Sequence, residues 1–357
     1  MKKFLGTTAL AILAAGAVHA GGLDRSGQSV AVIFEEGRHL ELSFGSVNPS
    51  VTGNEQDLGG AFGFSGDPSG NIAPTYSVPS LAYKADLNDA LSYAVILDTP
   101  FGTAVEYAQA DYVLNGTDVR VNTLGLTAVI NYDLGDGFSV HAGPRLLQAN
   151  GHYNEVGTTT PHASTYSTGY GLGFVAGAAY EMPEIALRVA LTYSSEISME
   201  LDGSNGDLSG SLPQSVNLEF QSGIAEDTLL FGSVRWADWT STVLVDDMYP
   251  GTDNIILDYD DDVLTYSLGV GRRFSDTVSA AVTFGFEAAT GDAGSNLSPT
   301  DGYRSIGVGV TQKLSDVLSM TFGARYVVVG DTTTAGINSD FSGNSVTAFD
   351  IKWEMKL

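Results

Sequence analysis

From about residue 39 to the end of the chain, side chains alternate in character with a period of two. The clearest case is the C-terminus, where Phe349, Ile351, Trp353, Met355 and Leu357 alternate with Asp350, Lys352, Glu354 and Lys356. The run from Leu318 repeats the pattern, with Met320, Phe322, Ala324, Tyr326 and Val328 on one parity and Ser319, Thr321, Gly323 and Arg325 on the other. Successive side chains of a β-strand point to opposite faces, so each run is a strand with one apolar face and one polar or small face. The runs reach roughly 10–16 residues, whereas strands of soluble proteins average about 5–6. Crossing a hydrocarbon core at barrel tilt takes about 9–11 residues. After Gly21 no apolar stretch approaches the roughly 18 residues of a transmembrane helix.

Strands are expected at 39–48, 75–84, 90–99, 119–132, 137–153, 164–180, 185–202, 212–222, 228–243, 259–274, 277–289, 302–314, 317–331 and 344–357. That makes fourteen; boundary shifts of a few residues also admit twelve or sixteen. The connections alternate. Short ones fall at 85–89, 133–136, 181–184, 223–227, 275–276 and 315–316, and those between are long and rich in Gly, Asp, Asn, Ser, Thr and Pro. Outer-membrane barrels have this layout, with turns in the periplasm and loops outside. Lipid cannot satisfy backbone N–H and C=O groups, so strands crossing it must close on themselves. The expected fold class is therefore all-β, an antiparallel transmembrane β-barrel. Tyr132, Phe138, Trp236, Trp239, Phe274 and Trp353 lie near strand ends and suit interfacial girdles.

Composition narrows the function. Among 357 residues, 16 Lys+Arg stand against 42 Asp+Glu, a formal charge of −26, and there is no cysteine. This excludes disulfides, thiolate metal sites and a Cys nucleophile. The acidity opposes nucleic acid as a partner. Residues 1–20 read as a secretory signal: Lys2 and Lys3 precede an apolar run, and Val18-His19-Ala20 offers small residues at a cleavage site. Residues 21–38 then precede the barrel, 39–357. No cofactor or metal is expected. Asp258, Asp260, Asp261 and Asp262 cluster without a calcium-loop pattern, and the histidines lack ligand spacing. An acidic rim bridged by cations to lipopolysaccharide is the simpler reading. No Gly-x-Ser-x-Gly is present, so no enzyme is expected.

Several segments resemble one family, the outer-membrane transporters of long-chain fatty acids and hydrocarbons (FadL/TodX). They are Pro79-Ser80-Leu81-Ala82-Tyr83-Lys84, Thr99-Pro100-Phe101-Gly102, Tyr193-Ser194-Ser195-Glu196-Ile197, Leu212-Pro213-Gln214-Ser215 and Trp236-Ala237-Asp238-Trp239-Thr240. Their order spans nearly the whole exported chain. The resemblance implies fourteen strands, an N-terminal plug and passive uptake of hydrophobic compounds, long-chain fatty acids first, by a monomer in the Gram-negative outer membrane. It also implies a lateral opening near Pro100, Phe101 and Gly102. The plug is short here and lacks the family's Asn-Pro-Ala; Ser26, Gly27, Gln28, Val30 and Phe34 occupy its place. The loop 51–74 is an alternative cover for the lumen.

Parity places Arg145, Arg188, Arg235 and Arg325 on the lumen face, where an arginine would hold a carboxylate bidentately. The alternative is a lumen salt-bridge network with Glu219, Glu287, Asp350 and Glu354. Three other functions compete: a polar-solute porin, a lipid hydrolase using His141, and an abundant structural anchor with a closed lumen.

Overall fold

The computed structural model describes residues 23–60, 63–157 and 161–357; the expected signal segment lies outside them. Fourteen antiparallel strands form a closed barrel. They are β1 (His39–Ser50), β2 (Tyr76–Asp86), β3 (Leu91–Asp98), β4 (Asp118–Gly135), β5 (Phe138–Glu155), β6 (His162–Met182) and β7 (Leu187–Ser194). The second half comprises β8 (Ser215–Ala225), β9 (Thr228–Ala237), β10 (Val263–Arg273), β11 (Val278–Glu287), β12 (Tyr303–Lys313), β13 (Leu318–Val329) and β14 (Ser345–Lys356). Each strand pairs with its sequence neighbour, and β1 closes on β14 from His39↔Lys356 to Ser50↔Ser345.

The alternation resolves as expected, but inverted relative to a soluble protein. Along β12, Tyr303, Ser305, Gly307, Gly309 and Thr311 are buried while Arg304, Ile306, Val308 and Val310 are exposed. Leu172, Phe284 and Phe349 are likewise exposed on the outer face. An exposed apolar belt with polar and small residues inside is stable only where the surrounding solvent is lipid. Tyr132, Phe138 and Phe274 are exposed at strand ends, as a girdle requires. Trp239 is not: it is wholly buried above the lumen.

Two expected strands were too long. The run 185–202 divides after Ser194, and Ile197–Leu201 leaves the wall to join Leu208–Leu212, Leu244–Asp246 and Ile255–Leu257 in a separate loop sheet. The run 228–243 ends in the wall at Ala237. Both breaks fall where the family-like segments begin to bond each other. Gln214 Nε2 donates to Asp238 Oδ2 (2.8 Å), Tyr193 Oη donates to Gln214 Oε1 (2.9 Å), and the Asp238 N–H reaches the Gln214 carbonyl (3.1 Å). These bonds turn the chain inward over the barrel mouth. A second loop cluster, with Val51, Ile72, Val105, Tyr112, Leu114 and Phe341 around the stacked Tyr107–Tyr112 pair, covers another part of that mouth.

Candidate functional site

The wall is interrupted between β2 and the segment that follows β3. β2 pairs with β3 only from Leu81↔Leu97 to Asp86↔Ser92, so the ladder leaves Tyr76–Ser80 without a strand on that side. β3 stops at Asp98, and Gly102–Glu106 resumes the pairing with β4 one residue out of register: Asp98 faces Gly125, but Gly102 faces Asn122. Pro100 explains the stop, since it has no N–H to give the ladder. Thr123 bridges the break with its side chain. Its hydroxyl receives the Phe101 N–H (3.0 Å) and donates to the Phe101 carbonyl (2.6 Å). Pro79 stands on the opposite edge, so both borders of the gap lack a donor.

The N-terminal segment sits against this break. The N–H groups of Arg25 and Ser26 donate to the Pro100 carbonyl (2.8 and 3.3 Å), and the Gly102 N–H donates to the Leu23 carbonyl (2.8 Å). Gly102 must be small. A Cβ there would lie 2.8 Å from Arg25 Nε and 2.9 Å from the Val121 carbonyl oxygen. The Arg25 guanidinium lies 4.1 Å over the Tyr76 ring, spanning the gap from the β3 side to β2. Ser26 donates to Asp98 Oδ2 (2.9 Å).

Two of the lumen arginines hold the same segment. Arg235 contacts both oxygens of buried Asp24, with Nη2 3.1 Å from Oδ1 and 3.2 Å from Oδ2. Its Nη1 bonds Ser215 Oγ (2.7 Å) and Asn217 Oδ1 (3.0 Å). Arg145 donates to Gln28 Oε1 (2.6 Å) and Thr127 Oγ1 (2.9 Å), and Gln28 Nε2 bonds Asp24 Oδ1 (3.0 Å). The Asn217 amide reaches the Gly27 carbonyl (2.7 Å), and Ser29 donates to Glu219 Oε1 (2.7 Å). Val30, Val32 and Ile33, around a 3-10 turn at Ala31–Phe34, pack on Ala82, Ala94, Ile96, Val129 and Val175. Arg188 lies 5.0 Å over the Phe34 ring and bonds Gln221 Oε1 (3.2 Å). Arg325 lies apart from this set, between Tyr303 and Asp350. Arginine parity was thus readable in the sequence. The partners were not, because Asp24 and Gln28 lie in a segment without periodicity.

Above the segment's tip is an apolar chamber with about 960 Å³ of empty space, including its open mouth. Leu23 forms part of its boundary; Met199, Leu201, Leu208, Leu212, Leu244 and Ile256 come from the loop sheet, and Tyr153 and Tyr166 from β5 and β6. Phe101 meets Trp239 edge-on at 6.1 Å, and Trp239 packs on Tyr259 at 4.9 Å, joining the wall break to the chamber's packing. Arg120, Asn150 and His152 are among its few polar boundary groups; His152 Nε2 lies 2.6 Å from Asp118 Oδ1. A second, open cavity adjoins it and includes Asp24, Arg25, Tyr76 and Gly102. Thr103, Leu297 and Ser298 border both. Sequence reading missed the chamber because its apolar residues belong to short loop strands that looked like wall.

The loop sheet is tied down by Asp246, which is fully buried. It accepts bonds from Tyr166 Oη (2.5 Å), His162 Nε2 (2.9 Å) and the Met248 N–H (2.9 Å). Burial alone would raise its carboxyl pKa, but these bonds outweigh it and hold the group below the ordinary range. His141 faces Thr192 (2.9 Å), and Phe34 packs on it edge-on.

The family model described as outer membrane protein transport protein (OMPP1/FadL/TodX) matches residues 14–355. No curated protein matches the chain in sequence. Among solved structures, a Pseudomonas aeruginosa FadL homologue superposes with a TM-score of 0.73 at 14% identity, covering 96% of this chain and 97% of that one. The P. putida toluene transporter TodX gives 0.66 at 13% identity, and the Ralstonia pickettii toluene transporter TbuX 0.63 at 12%, each covering 90% of both chains. At these identities the superpositions establish a shared fold.

Proposed function

Because the chain belongs to the OMPP1/FadL/TodX family of outer-membrane transport proteins, we propose that it takes up long-chain fatty acids by passive diffusion through the apolar chamber. It is a transport channel for hydrophobic compounds and not an enzyme. One observation carries the finer reading: the chamber offers an almost wholly apolar surface next to Arg120 and His152. An alkyl chain gains about 0.8 kcal/mol for each buried CH₂, and Arg120, exposed at the chamber's boundary, is the cation proposed to meet a carboxylate left outside it. Arg145, Arg188 and Arg235 are reassigned from head-group recognition to the N-terminal segment, which acts as the plug. In this reading substrate leaves the chamber through the second cavity and the gap between β2 and Gly102–Glu106, once Arg25 moves off Tyr76.

A monoaromatic hydrocarbon is the second reading, favoured by the fold shared with two toluene transporters. Binding of a labelled long-chain fatty acid and of toluene to the purified protein separates the two. Leu212→Asp should weaken both, because it sets a charge in the chamber wall. Arg120→Ala should weaken fatty-acid binding about tenfold, the loss of one charged hydrogen bond, and leave toluene binding unchanged. Fatty-acid binding indifferent to both substitutions would remove the chamber from the transport path. Free passage of small sugars in liposome swelling would support a polar-solute porin instead.

A further inference from the structure

The periplasmic end of the β1–β14 junction holds a cluster that transport through the chamber does not use. Glu41 and Glu354 are directly opposed across the two strands, an arrangement that is destabilising for like charges. His39, two residues before Glu41 on the same face, is 1% exposed. Its Nε2 lies 3.2 Å from Glu41 Oε1, but neither ring nitrogen has a partner in hydrogen-bond alignment. One donor atom from each of His39, Glu41 and Glu354 can be chosen so that all lie within 4.8 Å of one another. Lys352 reaches into the same space, 3.2 Å from Glu41 Oε2 and 2.8 Å from Glu354 Oε1. Glu35, at the end of the N-terminal segment, is buried and within electrostatic reach of His39, Glu41 and Lys352.

Glu35, Glu41 and Glu354 bring three carboxylates and Lys352 one positive charge; buried Lys84, opposite His39 on β2, is paired with Asp86. Arg188 reaches Glu35 from the β7 side. Buried charge needs compensation; His39 Nδ1 has no partner, and Nε2 meets Glu41 only at 3.2 Å and out of hydrogen-bond alignment. One nitrogen and two carboxylate donors converging from adjacent strands are a fitting set for a borderline divalent metal. Lys352 has somewhere else to go, since Asp350 lies two residues back on the same strand face.

We propose that His39, Glu41 and Glu354 bind a divalent transition metal, for which Zn²⁺ is the probe, at the periplasmic end of the barrel. The metal displaces the Lys352 ammonium and links the first strand to the last. Coordination joins β1 to β14 through side chains as well as through the backbone ladder.

The test is Zn²⁺ titration by calorimetry on the purified, chelator-treated full-length protein, with the temperature of barrel unfolding measured alongside. The wild type should bind one Zn²⁺ and unfold at a higher temperature with metal than with chelator. His39→Ala should weaken binding by at least about tenfold and abolish the thermal shift. Lys352→Met removes the competing ammonium and should tighten binding. A wild-type protein that binds no Zn²⁺ overturns the proposal whatever the variants do. So does binding that is equally strong in a folded His39→Ala protein, which would place the ion elsewhere. Fatty-acid binding by the chamber is independent of either outcome.

Discussion

The two sides of the barrel wall are built differently. On one side β5 and β6 run for 18 and 21 residues and pair from Phe138↔Tyr180 to Glu155↔His162, with one shift of register. On the other, β3 ends after eight residues, and the upper edge of β2 has no neighbouring strand. The long side is held by the wall's own ladder. The broken side is completed by a segment from another part of the chain, bonded to Pro100 and Gly102 and anchored by Arg235 of β9 and Arg145 of β5. Continuity on the first side is the backbone ladder between two long strands. On the second it depends on a docked segment, and so can be undone without unfolding the barrel.

That contrast can be broken from the anchor. Arg235→Ala should have the largest effect, because it leaves buried Asp24 without its bidentate partner. Losing one partner of a buried pair costs about 3–5 kcal/mol. The expected result is faster proteolysis and amide exchange within residues 23–38, with exchange in β6 unchanged. Equal loosening of both sides would show that the segment supports the whole barrel. Arg145→Met tests the neighbouring anchor at lower cost, about 1.5–3 kcal/mol for hydrogen bonds to a charged group. It should loosen Gln28 while Asp24 remains held, which exchange at single residues would reveal. Unchanged protection at Gln28 would remove Arg145 as an anchor.

The smallest effect concerns the roof rather than the wall. The lowered carboxyl of Asp246 stabilises the loop sheet above the ordinary pKa of aspartate, about 3.9. That contribution is lost as pH falls through the lowered value of the folded state. Acidification should therefore loosen residues 244–257 first, followed by quenching of tryptophan fluorescence, and Asp246→Asn should abolish the pH dependence. Loosening at unchanged pH in Asp246→Asn would show the same bond from the other direction.

The wall was legible because lipid enforces a simple rule: every second residue must be apolar, and every backbone group must be paired. All fourteen strands follow from it, as does the alternation of short turns and long loops. Pro100 also marked its own break, since proline's missing donor is a local property. The chamber was illegible for the opposite reason. Ile197, Met199 and Leu201 continue the wall's parity across Ser195 and Glu196, and nothing in the alternation says that the chain has turned inward. Trp239 misled similarly: near a strand end it suited a girdle, yet its neighbours Phe101 and Tyr259 come from distant segments. Such contacts depend on where loops return, which local pattern does not encode.

The pairing of β1 with β14 has a consequence for assembly. His39 and Lys356 are partners about three hundred positions apart, and the Leu357 N–H donates to the Arg38 carbonyl (2.9 Å). The entropic cost of bringing such distant ends together grows only with the logarithm of their separation, but the contact is available only when the last strand has been made. Until then the sheet has two open edges, each able to pair with another chain. Closure is therefore decided at β14: shortening the chain within that strand should leave an unclosed sheet with a tendency to aggregate, not a slightly smaller pore.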